Sequence, residues 1–202
     1  MPSQQSLPFG GEQLPKDGSA VLIPDFLDIE SADRAFADLR DTILWEEQHL
    51  AMFGSIVPEP RLSSWHSDNI PYTYSGVTRT PRPFTPLLQE LRERCSQITH
   101  FSFNSVLVNY YRNGNDHLGW HSDNEIVNGP EPVIASVSLG AERRFDFRHN
   151  DTGQVVKVLL PHGSLLVMSG LSQQCWQHRI VKEPNLTGAR INLTFRAVLP
   201  LT

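Results

Sequence analysis

PVIASVSLGAERRFDFRHNDTGQVVKVLLPHGSLLVMS, residues 132–169, holds four short apolar or alternating runs parted by Gly-Ala-Glu, Asn-Asp-Thr-Gly and Pro-His-Gly. Each run has the length and the Val, Ile, Leu and Phe content of a strand, and each separator is a turn signal. In RRFDFRH, residues 143–149, charge and phenylalanine alternate, which is the period of a strand buried on one face. Outward from this block the same texture continues. NSVLVNYY (104–111) precedes it, and CWQHRIV (175–181) and RINLTFRAVL (190–199) follow. Seven short strands in the last hundred residues predict a mainly β fold: a sandwich, a barrel or a jelly roll.

The first half reads differently. Residues 1–19, rich in Pro, Gly, Ser and Gln, predict a loose tail, and AVLIPDFL (20–27) a short buried strand. Ser31 opens a helix with Phe36, Leu39 and Ile43 on one face. Thr85 with Pro86 starts a second, whose stripe is Leu87, Leu88, Leu91, Cys95 and Ile98. Between them, residues 53–86 are dense in Pro, Ser and aromatic residues, too irregular for a core and too aromatic for a linker. With no long repeat, the whole of 1–202 reads as one domain: a β core over 100–200 with an N-terminal attachment of helices and loops.

Composition, 39% hydrophobic and 19% charged, places the chain among soluble globular proteins rather than disordered or membrane ones. No basic segment leading into an apolar run opens the sequence, and no apolar run is long enough to span a bilayer. An intracellular location is therefore expected, cytoplasmic in a bacterium or nuclear in a eukaryote. Cys95 and Cys175 stand in unrelated contexts without a C-x-x-C, which excludes a disulfide framework and a thiolate metal site. Net charge is -5, yet 14 of the 17 basic residues are arginine, and residues 51–202 hold 14 bases against 12 acids. Arginine favours bidentate work on carboxylate or phosphate, so local anion sites fit better than a general grip on duplex DNA.

HLGWHSDNE, residues 117–125, follows an apolar strand and carries His121-x-Asp123. In extended chain, residues two apart point the same way, so an imidazole and a carboxylate can meet at one divalent cation. Alone the pair is weak, because polar turns often contain both. His117 and His121 have helical zinc spacing, but NGNDHLG is a poor helix and the H-E-x-x-H glutamate is missing, so His117 is set aside. His178 lies inside a predicted strand, where an imidazole needs a partner. Two histidines and one carboxylate with open coordination positions form the facial triad of non-haem iron oxygenases.

In the last strand Arg190, Asn192, Thr194 and Arg196 share one face, and Ile191, Leu193 and Phe195 the other. A solvated polar face is the ordinary outcome. If that face turns into a barrel, its arginines could instead clamp a dicarboxylate, with Asn109 and Tyr111 adding neutral hydrogen bonds.

NYYRNGNDHLGWHSDNE, SVSLGAERRFDFRH, HGSLLVMSG, CWQHR and ARINLTFR, in this order, resemble the AlkB family of Fe(II)- and 2-oxoglutarate-dependent nucleic-acid dealkylases. The likeness covers roughly residues 53–198, and YTYSG (72–76) belongs to it. It implies a double-stranded β-helix, a jelly roll with a nucleotide-recognition lid over 50–86. It implies iron ligands His121, Asp123 and His178. Arg190 would pair with the distal carboxylate of 2-oxoglutarate, Arg196 would act near its chelating end, and Asn109, Tyr111, Asn192 and Thr194 would complete the pocket. The implied reaction is oxidative demethylation of 1-methyladenine and 3-methylcytosine with Fe(II), 2-oxoglutarate and O2, releasing formaldehyde, succinate and CO2.

On the substrate side the resemblance implies Phe53, Arg61, Trp65, Tyr72, Tyr74 and Glu125. Tyr74 would stack on the base opposite His121, Glu125 would meet its exocyclic edge, and Phe53 in MFGS stands where some relatives carry a wedge. Relatives specialised for duplexes have a basic loop after the last iron ligand, whereas here the stretch is KEPN, residues 182–185. His66-Ser67 after Trp65 is another departure, since Tyr-Gly is common there. The expected partner is single-stranded DNA acted on by a monomer, with no membrane. The alternatives are RNA, a protein or lipid substrate for the same chemistry, or a non-catalytic jelly roll that binds an anion.

Overall fold

The computed structural model describes residues 10–52, 55–68, 72–74 and 77–199. In chain order its elements are β1 (Gly11–Glu12), β2 (Ser19–Ile23), α1 (Ile29–Thr42), β3 (Glu46–Met52), β4 (Ser55–Ser67), β5 (Tyr72–Tyr74), β6 (Val77–Arg79) and α2 (Pro86–Thr99). Then follow β7 (Ser105–Tyr111), β8 (Leu118–His121), β9 (Ile134–Gly140), β10 (Arg143–His149), β11 (Val155–Leu160), β12 (Ser164–Ser169), α3 (Ser172–Cys175), β13 (Trp176–Ile180) and β14 (Arg190–Arg196).

The strands form a large sheet, β1-β2-β12-β9-β14-β7-β4-β3, a small sheet, β11-β10-β13-β8, and a separate β5-β6 ribbon. All three are antiparallel, and most neighbours are distant in sequence, as in a jelly roll. Period-two alternation sorts each strand's residues between two cores. Ile191, Leu193 and Phe195 of β14 turn outward with Val106, Val108, Val137 and Leu139, and are covered by Leu39 of α1 and Leu88, Leu91 and Cys95 of α2. The other face of the large sheet sends Ile134, Leu166 and Met168 against Phe145, Phe147, Trp176 and Ile180 of the small one. Arg190, Asn192, Thr194 and Arg196 thus face the space between the sheets, and all four are buried.

Both helices begin where capping chemistry allows. Thr85 Oγ1 accepts from Leu88 N at 3.3 Å and Pro86 takes the first turn, as the sequence predicts. The first helix starts earlier than the Ser31 expected, because the Asp28 carboxylate accepts from Ser31 N at 2.8 Å and serves as its cap. No helix among the described residues is long and apolar enough to cross a membrane.

Two expectations for the N-terminal half change. Residues 1–9 lie outside the described residues, but 10–18 are docked rather than loose: β1 pairs with β2, Leu14 is buried, and Trp176 Nε1 donates to Lys16 O at 3.1 Å. Within the expected lid, β4 belongs to the large sheet and pairs with β7 from Leu62 to Ser67. Its prolines looked like breakers, yet Pro58 faces β3, the sheet's last strand, beside a register shift, where a missing N–H is tolerated. Among the described strands, only the β5-β6 ribbon stands apart from both sheets.

Gly140 ends β9 at φ +87°, and a Cβ there would lie 2.4 Å from Ala189 O and 2.7 Å from the Phe36 ring. Gly140→Ala is expected to lower the unfolding free energy by about 2 kcal/mol or more in urea denaturation, through left-handed strain plus the clash. A loss of under about 0.5 kcal/mol, the range of a neutral surface change, would show that β9 and α1 relax freely there.

Candidate metal and anion site

The small sheet builds the first half of the site. His121 ends β8 and His178 lies in β13, and the two are direct partners across the antiparallel pair. Asp123 follows two residues on, and ligand atoms of His121, Asp123 and His178 lie within 4.8 Å of one another. The imidazoles meet edge to face, with centroids 4.2 Å apart, and His178 stacks on Phe145 at 5.2 Å. His121 Nδ1 is 2.9 Å from Gly119 O; a carbonyl only accepts, so Nδ1 carries the proton and Nε2 keeps a lone pair. His178 Nδ1 is buried with no hydrogen-bonding partner among the described residues.

Electrostatics hold these groups in the states a cation requires. Burial, reinforced by the His121 ring, pushes the His178 imidazole down to about 3, and burial lowers His121 too, against the pull of Asp123. Burial opposes ionisation of Asp123, but Arg196 and the two imidazoles outweigh it and hold the carboxyl well below the usual carboxylate range. Arg196 Nη2 donates to Asp123 Oδ2 at 2.7 Å. Two neutral imidazoles and one carboxylate, with the remaining space open to the cavity, suit Fe(II).

Two residues that sequence reasoning missed position Asp123. Gln173 of α3 accepts from Asp123 N at 2.9 Å through Oε1. Asn128 Nδ2 donates to Asp123 O at 3.3 Å and to Glu125 Oε2 at 2.7 Å, tying the acid expected at the base edge to the metal loop. Nothing in the sequence marks these amides, which sit in ordinary polar stretches.

The large sheet supplies the second half. Arg190 is 1% exposed, its Nη2 donates to Ser138 Oγ at 2.8 Å, its Nε and Nη1 are buried without a well-formed hydrogen bond among the described residues, and the Tyr111 side chain helps to hold its charge. Among the described residues no carboxylate pairs with it. Burial, with Arg143 nearby, pushes it down to about 10, so it remains a cation at neutral pH. An uncompensated buried cation is costly unless an anion joins it, which makes this end of the cavity an anion site. The Tyr111 ring lies against this guanidinium at 5.4 Å.

The other predicted residues are placed as follows. Asn109, Asn192 and Thr194 line the same cavity as the triad. Thr194 Oγ1 donates to Asn192 Oδ1 at 3.0 Å, and Asn192 Nδ2 donates to Ser136 Oγ at 2.8 Å, so these two brace each other. Arg196, expected beside the chelating end of a cosubstrate, lines the same cavity and bonds Asp123 through Nη2. Arg61, expected on the base side, is buried in the cavity wall, paired with buried Glu59 at 2.9 Å and donating to Asn109 Oδ1 at 3.0 Å. Trp65, expected in a lid, is 2% exposed and packs with Leu107 and Val198, because β4 is a sheet strand there. His66, next to it, is buried as well, its ring between Ser64 Oγ and Pro83 O. Phe53 lies outside the described residues, as do the side chains of Tyr72 and Tyr74, whose backbone forms β5. His117 bonds to Asn115 O and takes no part in the cluster.

Known proteins resemble this chain in sequence and fold. The sequence model of the 2OG-Fe(II) oxygenase superfamily matches residues 19–196. "Alpha-ketoglutarate-dependent dioxygenase alkB homolog 3" of Bos taurus is 41% identical over 189 residues, covering 89% of this chain and 66% of the relative. "DNA oxidative demethylase ALKBH2" of Mus musculus is 40% identical over 181 residues, 84% of this chain and 76% of the relative. The chain thus spans just under two thirds of the length of the alkB homolog 3 proteins it matches. A solved structure, "The structure of OsALKBH1", superposes with a TM-score of 0.60 over 93% of this chain and all of the other, at 20% identity, and so shares the fold.

Burial of the site has a consequence for stability. His178 is neutral when folded and binds a proton near the ordinary imidazole value of about 6.5 when unfolded, so the unfolded state takes up protons first as pH falls. The metal-free protein is expected to lose stability from about pH 6.5 downward, by on the order of 1 kcal/mol per pH unit from this group. His178→Gln should flatten the slope of unfolding free energy between pH 7 and pH 5. An unchanged slope would mean the imidazole is not held neutral.

Proposed function

Because this chain belongs to the 2OG-Fe(II) oxygenase superfamily, and within it to the AlkB family, we propose that it oxidatively demethylates 1-methyladenine and 3-methylcytosine in single-stranded DNA. The observation that carries the reading is the pairing, in one cavity, of a His-Asp-His cluster with Arg190, a buried cation with no carboxylate partner among the described residues. When bound, Fe(II) with 2-oxoglutarate and O2 supplies the oxidation that turns an N-methyl group into an unstable hydroxymethyl group lost as formaldehyde, while 2-oxoglutarate leaves as succinate and CO2.

The chain's own residues hold and aim the reactants. His121, Asp123 and His178 hold the iron and leave part of its coordination shell open. Arg190 receives the distal carboxylate, Tyr111 and Asn109 stand beside it, and Arg61 holds the Asn109 amide in one orientation. Arg196 keeps Asp123 ionised and pointed at the metal. Leu118, Phe145, Met168 and Ile180 line the cavity and keep water away from the reacting carbon.

A methylated base reaches such a cavity only out of the stack. Glu125, braced by Asn128, accepts from the exocyclic amino group that 1-methyladenine and 3-methylcytosine share, and the AlkB resemblance assigns Tyr72 and Tyr74 to the base pocket, with Tyr74 stacking on the base. The relatives named DNA demethylases support DNA as the substrate. The KEPN turn supports a single strand: Glu183 brings an acid where a basic loop would grip a second strand, and its carboxylate is bound to Arg143 at 3.2 Å. RNA carrying the same lesion is the competing substrate, and the enzyme works as a monomer.

Single-stranded DNA, duplex DNA and RNA bearing 3-methylcytosine, incubated with Fe(II), ascorbate and 2-oxoglutarate, form the test. Mass loss of one methylene unit and succinate formation are expected, with single-stranded DNA fastest; no demethylation by folded, iron-loaded protein would sink the reading, and duplex preference would sink the strand assignment. Arg190→Met is expected to raise the KM for 2-oxoglutarate by more than about 10-fold, the loss of a charged hydrogen-bonded pair, with the oligonucleotide KM little changed.

A further inference from the structure

The small sheet's second face, turned away from the core, has an unusual charge. Alternation that sends His121, Phe145, Phe147, Val158 and His178 inward sends Trp120, Arg144, Asp146, Arg148, Lys157 and Arg179 outward. Four cations against one acid leave three positive charges in excess, on a chain whose net charge is -5. The single acid is consumed internally, since Asp146 accepts from Arg144 at 2.7 Å and from Arg179 at 2.8 Å.

The three arginines are held in place. The guanidinium carbons of Arg148 and Arg179 each lie 4.4 Å from the Trp120 ring centroid, so the indole is shared by two guanidinium groups. Arg148 also donates to Gln177 Oε1 at 2.6 Å, a neutral partner that fixes the side chain without cancelling its charge. Holding long cationic side chains beforehand reduces the entropy lost when an anion binds. The face also has a position. Trp120 precedes the cavity residue His121 on β8, the sheet's edge strand, and in register Arg179 and Lys157 flank Asp146 on either side. From Arg179 to Lys157 is two strand spacings, about 10 Å.

We propose that this outer face is the track for the single-stranded DNA flanking the base under repair, with backbone phosphates on Arg148, Arg179 and Lys157 and Trp120 as the plate that holds two of them. The inference rests on the DNA reading above. Phosphate contacts of this kind set affinity and orientation without reading sequence, and they serve a long strand and not a short one.

The test is the double charge reversal Arg148→Glu with Lys157→Glu, neither residue lining the iron cavity. Fluorescence anisotropy with a labelled single-stranded DNA of about 20 nucleotides is expected to show affinity reduced at least about 10-fold, and the slope of log affinity against log salt reduced by about 1.4, two contacts' worth. Demethylation of a methylated trinucleotide should stay at the wild-type rate, which also shows that the variant is folded. Unchanged affinity and slope overturn the track, as does a loss seen with RNA of equal length and not with DNA. If the unaltered protein demethylates neither the trinucleotide nor the long strand, the DNA reading itself fails. If it demethylates both with equal kcat/KM, the reading stands and the track is wrong.

Discussion

His121 of β8 faces His178 of β13 across one antiparallel pair, and the rest of the site is built around that register. Strand side chains alternate with period two, so a slip of one residue would turn an imidazole to the solvent face and bring Trp120 or Arg179 into the core. The register is held from both sides. Phe145 and Phe147 pack beside His178, while Asp146 and Trp120 lock the outer side chains of the same strands. One sheet thus serves two surfaces, an inner one for the metal and an outer one for charge.

The large sheet makes the complementary contribution through unequal pairing of its arginines. Arg196 bonds Asp123 through Nη2, and Arg61 is paired with Glu59. Arg190 keeps Nε and Nη1 buried without a hydrogen-bonding partner among the described residues, at a cost in desolvation that an incoming carboxylate offsets. The fold therefore separates the two ends of the cavity electrically: neutral imidazoles and a compensated carboxylate at one, a guanidinium with no carboxylate partner among the described residues at the other. A dicarboxylate that chelates a metal with one end and carries charge on the other fits that polarity.

Much of this was legible in the sequence, for physical reasons that also mark where reading stopped. RRFDFRH and SLLVMS are strands over the residues expected, because alternation and turn residues agree locally. RINLTFR gave up both its faces, since its polar residues are regularly spaced whatever lies opposite. Partner choice was not legible. That Arg196 binds Asp123, that Gln173 and Asn128 brace the metal loop, and that Arg61 is buried against Glu59 all depend on contacts between distant segments. β4 was hidden for a related reason: Pro58 and Pro60 argue locally against a strand, and only the partners β3 and β7 make one. The docked segment around Lys16 is likewise fixed by distant residues, the Trp176 indole and His149.

The central claim is that one cavity holds a metal triad and a separate anion-binding arginine that act on a single chelating dicarboxylate. Anaerobic titration of the metal-free protein with Fe(II) and 2-oxoglutarate tests it most directly. A visible charge-transfer band that saturates at one equivalent of each, is abolished by His178→Ala, and needs far more 2-oxoglutarate in Arg190→Met is the result predicted. A folded protein that binds Fe(II) but gives no band at saturating 2-oxoglutarate would contradict it.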